Sequence, residues 1–356
     1  MKNENFSKEQ NLKLTLKLRE LINQLPVFCE NFFRGIEPIT SIKTRIAYAF
    51  DLRTFFYFIT QELDDFYGRE IKELSLEEID RISSVEIEKF LEFLSFYSLP
   101  HYKNNDEYVS YSNSNSGKSR KLASLRSFYK YYFKKEMIDN NPSILVDMPK
   151  IKEKAIIRLE VDEIAKLLDT IEEGENLTKS QKKYHTYNRE RDLALISLLL
   201  GTGIRISECV GLNKNHFNFE NNSFVVTRKG GSQSILYFSE EVKNTLLNYI
   251  EVRNKITPHP GHEDAYFLSL QKKRLSVSSI QKLVKKYSKI ITPLKNISPH
   301  KLRSTYGTNL YRETGDIYLV ADVLGHKDVN TTKKHYAAIS DEQRRKAAKA
   351  VKLRED

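Results

Sequence analysis

The stretch GTGIRISECVGL, residues 201–212, follows a strongly apolar run and carries an arginine and a glutamate three positions apart. Two glycines flanking a threonine mark a turn. Arg205 and Glu208 stand at i and i+3, so a helix would place them on one face. Such a pair can be an ordinary surface salt bridge, and those contribute little. Its meaning depends on what else the chain carries.

Four further stretches accompany it. They are RKGG (228–231) with Lys229, PHKLR (299–303) with His300 and Arg303, LGH (324–326) with His326, and TTKKHYAAI (331–339) with Tyr336. The planar fork of arginine suits bidentate binding of phosphate oxygens. Two such forks, Arg205 and Arg303, can neutralise a phosphodiester and the added charge of its pentacoordinate transition state without a metal. Histidines donate to phosphate oxygens or accept a proton near neutrality. A lysine in a hairpin turn can protonate a leaving oxygen, and a tyrosine can act as covalent nucleophile. Jointly these side chains suit phosphoryl transfer through a phosphotyrosine. Tyr336 is one of 20 tyrosines, and only its place after the LGH stretch singles it out.

In this order and near this spacing, GTGIRISE, a turn lysine, HKLR, LGH and a tyrosine after TT resemble the tyrosine recombinase (phage-integrase-type) family. The resemblance spans the whole chain and is greatest to the Xer recombinases, particularly the single-protein XerS type. Two departures are visible: Tyr336 lies ten residues after His326, where many relatives have nine, and His335 precedes the tyrosine where many relatives have a histidine two positions after it. The resemblance implies that Arg205 and Arg303 bind the scissile phosphate and that Lys229 is the general acid for the 5′-hydroxyl. It implies that His300 accepts the nucleophile's proton or binds the phosphate, and that His326 hydrogen-bonds the phosphate. Tyr336 would form a 3′-phosphotyrosyl link, and Glu208 would support the site from behind. The partners it implies are double-stranded DNA with inverted-repeat half-sites and further copies of the chain, a dimer per site and a tetramer in the synapse, with a DNA translocase as a further partner. Strand exchange would pass through a Holliday junction, with chromosome dimer resolution as its purpose. Because the phosphotyrosyl bond conserves the phosphodiester energy, no cofactor, ATP or metal is expected.

Composition is compatible with this. The 356 residues suit about two domains. Lysine and arginine number 58 against 47 acids, a formal net charge of +11 that favours polyanionic partners. The two cysteines, Cys29 and Cys209, are far apart and form no CxxC pair, so a disulfide framework or zinc ribbon is not expected. His259 and His262 in HPGH read as a surface loop, since no HExxH helix or cysteine partner supports a metal. The beginning, MKNENFSKEQ, lacks an apolar signal core, and LALISLLLG at 193–201 is too short to span a bilayer. A cytoplasmic location without membrane contact is the expectation.

The expected fold is mainly α in two domains. A helical SAM-like core-binding domain, the SAM-like character implied by the resemblance, occupies 1–147. The stretch 138–154, where Asn-Asn-Pro and a second proline interrupt helix formation, marks the domain boundary, with a linker at 148–156. A mixed α+β catalytic domain with a small antiparallel sheet occupies 157–340. Residues 341–356, with Ala347, Ala350, Val351 and Leu353 on one face, would form a C-terminal helix that docks on a neighbouring protomer.

Within these bounds, 41–60 and 84–98 read as helices, 110–119 as a loop, and Ser119–Lys135 as a helix. Leu159–Ile171 reads as a helix, 172–188 as a charged loop whose Lys179, Lys182 and Lys183 could touch phosphate or a partner, and Arg189–Leu200 as a helix ended by Gly201. The run 217–238 reads as a short antiparallel meander. All charges in 118–135 are basic. Lys118, Arg120, Lys121, Arg126, Lys130 and Lys134 are therefore candidate contacts to the DNA backbone, while Leu122, Leu125, Phe128 and Tyr132 form an apolar stripe toward a core.

The rivals are a mobile-element integrase or excisionase, a type IB topoisomerase-like relaxing enzyme, and a catalytically silent DNA-binding protein on the same fold.

Overall fold

The computed structural model describes residues 2–151, 157–228, 231–326, 328–330 and 332. The chain divides into two compact units, 1–153 and 154–356. In the first unit the helices are α1 (Lys2–Ile22), α2 (Cys29–Ile36), α3 (Ile42–Glu62), α4 (Leu76–Asp80), α5 (Ser84–Phe93) and α6 (Asn115–Lys134). Ser41 starts α3 by accepting the Thr44 amide hydrogen at 3.2 Å, and Ser83 with Glu86 forms a capping box at α5.

Aromatic rings fill the core between α2, α3 and α6. Phe32 and Phe128 meet edge to face at 5.4 Å, and Phe55 meets Phe90 the same way at 5.1 Å, geometries that aromatic quadrupoles favour. One acid lies at the edge of this core. Asp51 of α3, 1% exposed, accepts two bonds from the Arg120 fork at 2.5 and 2.6 Å, one from Lys121 at 3.0 Å and one from Ser124 at 3.0 Å. All three donors lie on α6, so a buried carboxylate straps the two helices together.

The first unit is not all-helical. The helix expected over 84–98 ends at Phe93, and β1 (Tyr97–His101) pairs antiparallel with β2 (Asn104–Tyr111). Alternation explains the switch: Tyr97 and Leu99 are buried on one face, and Tyr97 stacks on Tyr111 at 5.4 Å. The expected loop at 110–119 shrinks to 112–114, because β2 reaches Tyr111 and α6 begins at Asn115.

In the second unit the elements are α7 (Val161–Glu173), α8 (Lys179–Thr202), α9 (Ile206–Val210), β3 (Phe217–Asn218), β4 (Ser223–Thr227), β5 (Gln233–Tyr237), α10 (Glu240–Asn254), α11 (Val277–Ile291), α12 (Pro299–Thr314) and α13 (Ile317–Leu324). The meander is present in the order β3-β4-β5, with Val225 opposite Ile235. The charged stretch 172–188 is mostly helix instead of loop. Thr178 and Gln181 form a capping box that starts α8 at Lys179, about four turns before its apolar run at 193. Gly201 lies inside α8, and the helix ends instead at Gly203, whose φ of 60° closes it in the left-handed region. Along α8, Ala194 to Leu199 supply much of the core with Leu246, Tyr287 and Leu302.

Both cysteines are buried, and burial pushes each thiol well up from its ordinary pKa, so neither is a reactive thiolate. Among the described residues no helix is long and apolar enough to cross a membrane.

Asp51→Ala would leave Lys121 buried without its counter-charge. Chemical denaturation of the full chain should show the first unit destabilised by about 3 kcal/mol. An unchanged unfolding midpoint would show that the strap is dispensable.

Candidate active site

Gly203 and Ile204 join α8 to α9 and set Arg205 at the start of the shorter helix. Gly203 is needed there twice over: its φ is positive, and a Cβ would come within 2.4 Å of the Tyr306 ring. Arg205 sits in extended backbone immediately before Ile206. Glu208 accepts its backbone N–H at 3.0 Å and its Nη1 at 2.9 Å. The pair is no surface salt bridge, because the Glu208 side chain is 3% exposed against 31% for Arg205.

The other oxygen of Glu208 holds a second guanidinium. Arg228, in the turn after β4, donates from Nη1 to Glu208 Oε2 at 3.2 Å and from Nη2 to the Val323 carbonyl at 2.9 Å. Arg205 Nη2 donates to the Gly325 carbonyl at 2.7 Å. Arg303, 5% exposed on α12, donates from Nη1 to the Gly203 carbonyl at 2.7 Å and from Nη2 to the Leu324 carbonyl. Three arginines from three parts of the chain thus hold the consecutive carbonyls of Val323, Leu324 and Gly325. A helix end leaves such carbonyls without intrahelical partners and carries partial negative charge, so guanidiniums stabilise it well.

The histidines lie on the same framework. His326 follows Gly325, whose φ is 61°. Its N–H donates to the Ala321 carbonyl at 2.9 Å, and its Nδ1 lies 2.7 Å from the Thr332 hydroxyl. His300 is exposed in the first turn of α12, one turn before Arg303. Arg205, Glu208, Arg303 and His326 are therefore brought together through the end of α13, with His300 on the helix that carries Arg303. Lys229 and Tyr336 lie outside the described residues, as do the 341–356 tail and most of the linker. Arg228 is the member that the sequence motifs miss. Its only signal is adjacency to Lys229.

Three guanidiniums against one carboxylate leave an excess of two positive charges in this contact set. That excess suits an anion that gains negative charge as it reacts. Among the described residues no group of three or more His, Cys, Asp or Glu side chains is placed to hold a metal.

The basic helix of the first unit is corrected in part. Lys121 is buried with its ammonium on Asp51, so it serves the fold and is not presented to a backbone phosphate. Arg126 donates to the carbonyls of Ser143 and Val146 at 3.1 and 2.6 Å, so it pins the segment after α6. Arg120 is half exposed with its fork on Asp51, and Lys118 donates to Ser95 at 2.7 Å. Lys130 and Lys134 are exposed.

Comparison with known proteins shows the family of the chain. The profile of the Phage integrase family matches residues 157–343. Tyrosine recombinase XerC of Caldanaerobacter subterraneus is 34% identical over 343 residues, covering 93% of this chain and 88% of that protein. The chain belongs to the phage integrase family of tyrosine recombinases. It is accordingly a site-specific recombinase, an enzyme of DNA strand exchange. Tyrosine recombinase XerS of Streptococcus mutans is 30% identical, over 92% of this chain and 96% of that one. Among solved structures, the Tn1549 transposon integrase in complex with a circular intermediate DNA shares the fold, with a TM-score of 0.62 at 18% identity over 89% of this chain and 98% of that one.

Gly325→Ala tests the packing of this arginine cluster. A Cβ there would lie 2.9 Å from Arg228 Cζ at a φ that L-residues disfavour. The substitution should cost about 1 kcal/mol in denaturant unfolding and slow strand cleavage as well. Full cleavage at unchanged stability would show that the close approach is unimportant.

Proposed function

We propose that the chain cuts and rejoins duplex DNA at paired inverted half-sites to resolve chromosome dimers, with Tyr336 as nucleophile. The observation that carries this reading is the cluster of Arg205, Arg303 and His326 at the end of α13, held by a buried carboxylate and rich in positive charge. The tyrosine oxygen attacks the scissile phosphorus and loses its proton to His300. The bond from phosphorus to the 5′-oxygen breaks, and Lys229 protonates that oxygen. The product is a 3′-phosphotyrosyl link and a free 5′-hydroxyl. In the return step a 5′-hydroxyl from the partner duplex attacks the same phosphorus and releases the tyrosine. One phosphoester replaces another at each step, so ATP is not required, and arginine charge does the work a metal does elsewhere.

Arg205 and Arg303 bind the non-bridging oxygens and His326 donates to them. The XerC and XerS names of the relatives, at 34% and 30% identity over most of the chain, support the chromosomal role. Two protomers act per site and four in the synapse, in the cytoplasm, with the 341–356 helix docking between protomers and a DNA translocase bringing sites together. Lys118, Arg120, Lys130 and Lys134 of α6 lie along the DNA backbone.

The test is covalent trapping on nicked duplexes from the replication terminus and from the neighbourhood of the gene, with chelator present. Wild type should give a denaturant-resistant protein–DNA band on terminus DNA. Bands on gene-adjacent DNA alone would favour a mobile-element integrase, and none on any DNA would favour a silent DNA-binding protein. Tyr336→Phe should bind the same DNA and give no band, since only the phenolic oxygen is removed. A variant that still forms the link would show that another residue is the nucleophile.

Truncation after Ser340 should spare binding to one half-site and abolish cooperative binding to two, as read by gel shift. Unchanged recombination by the truncated chain would remove the docking role from the tail.

A further inference from the structure

Arg228 belongs to none of the roles assigned so far. Its side chain is 9% exposed, both of its Nη atoms are engaged, and its buried Nε has no hydrogen-bond partner among the described residues. A guanidinium so enclosed does not present a fork to DNA. It acts on its neighbours instead.

The neighbour that matters is Glu208. A carboxylate and a guanidinium prefer two parallel bonds, fork to fork. Arg205 and Glu208 do not make that pair. Arg205 Nη1 reaches Oε1, while Oε2 is taken by Arg228 and by the Arg205 backbone N–H. The second guanidinium fork atom of Arg205 goes to the Gly325 carbonyl. With Oε2 engaged, Glu208 cannot draw the Arg205 fork fully onto itself. Its single negative charge is also shared between two guanidiniums, so the pair of cations is only partly neutralised by it.

We propose that Arg228 is a positioning residue: by sharing the Glu208 carboxylate and holding the Val323 carbonyl, it keeps the Arg205 guanidinium oriented for the scissile phosphate. This rests on the reading that Arg205 binds that phosphate. Without Arg228, Oε2 is available to Arg205, whose fork turns inward onto the carboxylate and away from the DNA.

The experiment measures half-site affinity by gel shift and the single-turnover rate of covalent complex formation on a nicked duplex, using the full chain. Arg228→Ala should bind DNA within about twofold of wild type and form the covalent link about 100-fold more slowly, the size of loss that a small misplacement causes. Arg228→Lys keeps the charge and one donor, so it should recover to within about tenfold of wild type. In a Glu208→Gln background, Arg228→Ala should add less than about threefold, because the two residues act as a unit. If the alanine variant does not fold, the same cycle is run with Arg228→Lys, whose deficit should vanish in the Glu208→Gln background.

Undiminished cleavage by Arg228→Ala would overturn the proposal. So would effects of Arg228 and Glu208 that multiply independently, or a fall in affinity equal to the fall in rate. Failure of wild type to form any covalent complex would instead defeat the reading of the site as a recombinase centre, so the two failures are distinguishable.

Discussion

The buried carboxylate of Glu208 is the constraint on which the second unit's site depends. A charge out of water is costly unless paired and hydrogen-bonded. Here it is met by two guanidiniums and a backbone N–H. Those guanidiniums, joined by that of Arg303, in turn hold three successive carbonyls at the end of α13. The arrangement ties together α9, the turn after β4, α12 and α13, elements far apart in the chain. It also leaves positive charge in excess at the end of α13. Under the function proposed above, structural and chemical demands are met by the same side chains: the donors that complete a helix end are the cations offered to the phosphate.

A similar device operates in the first unit with a different outcome. Asp51 engages Arg120, Lys121 and Ser124 and holds α3 to α6. Arg126 is turned toward carbonyls of the following segment. A helix whose charges are all basic therefore presents fewer free cations to DNA than its sequence promises. Net charge measures attraction at long range. It does not say which cations are already bound to their own protein.

Much of this protein is legible in the order of its residues. The helices at 41–60 and 119–135, the meander at 217–238 and the core positions Leu122, Leu125, Phe128 and Tyr132 follow from local periodicity, which needs no knowledge of distant partners. The β1–β2 hairpin is harder to read, because Tyr97 and Leu99 alternate for only a few residues beyond a helix. The early start of α8 is marked by Thr178 and Gln181, but a polar exposed helix lacks the apolar period that usually reveals one.

The sequence by itself determined the family and the series of candidate groups, because the turn at 201–203, HKLR and LGH are local patterns with fixed residue types. Only the tertiary structure decided which cations converge. Arg228 looks like any surface residue beside Lys229, and Lys121 looks like any other member of a basic stripe. Each was assigned by a buried carboxylate, on Glu208 or Asp51, lying elsewhere in the chain. The physical reason is that electrostatic partnership depends on distance and burial in the folded state, and neither is encoded in the local period of a helix or strand.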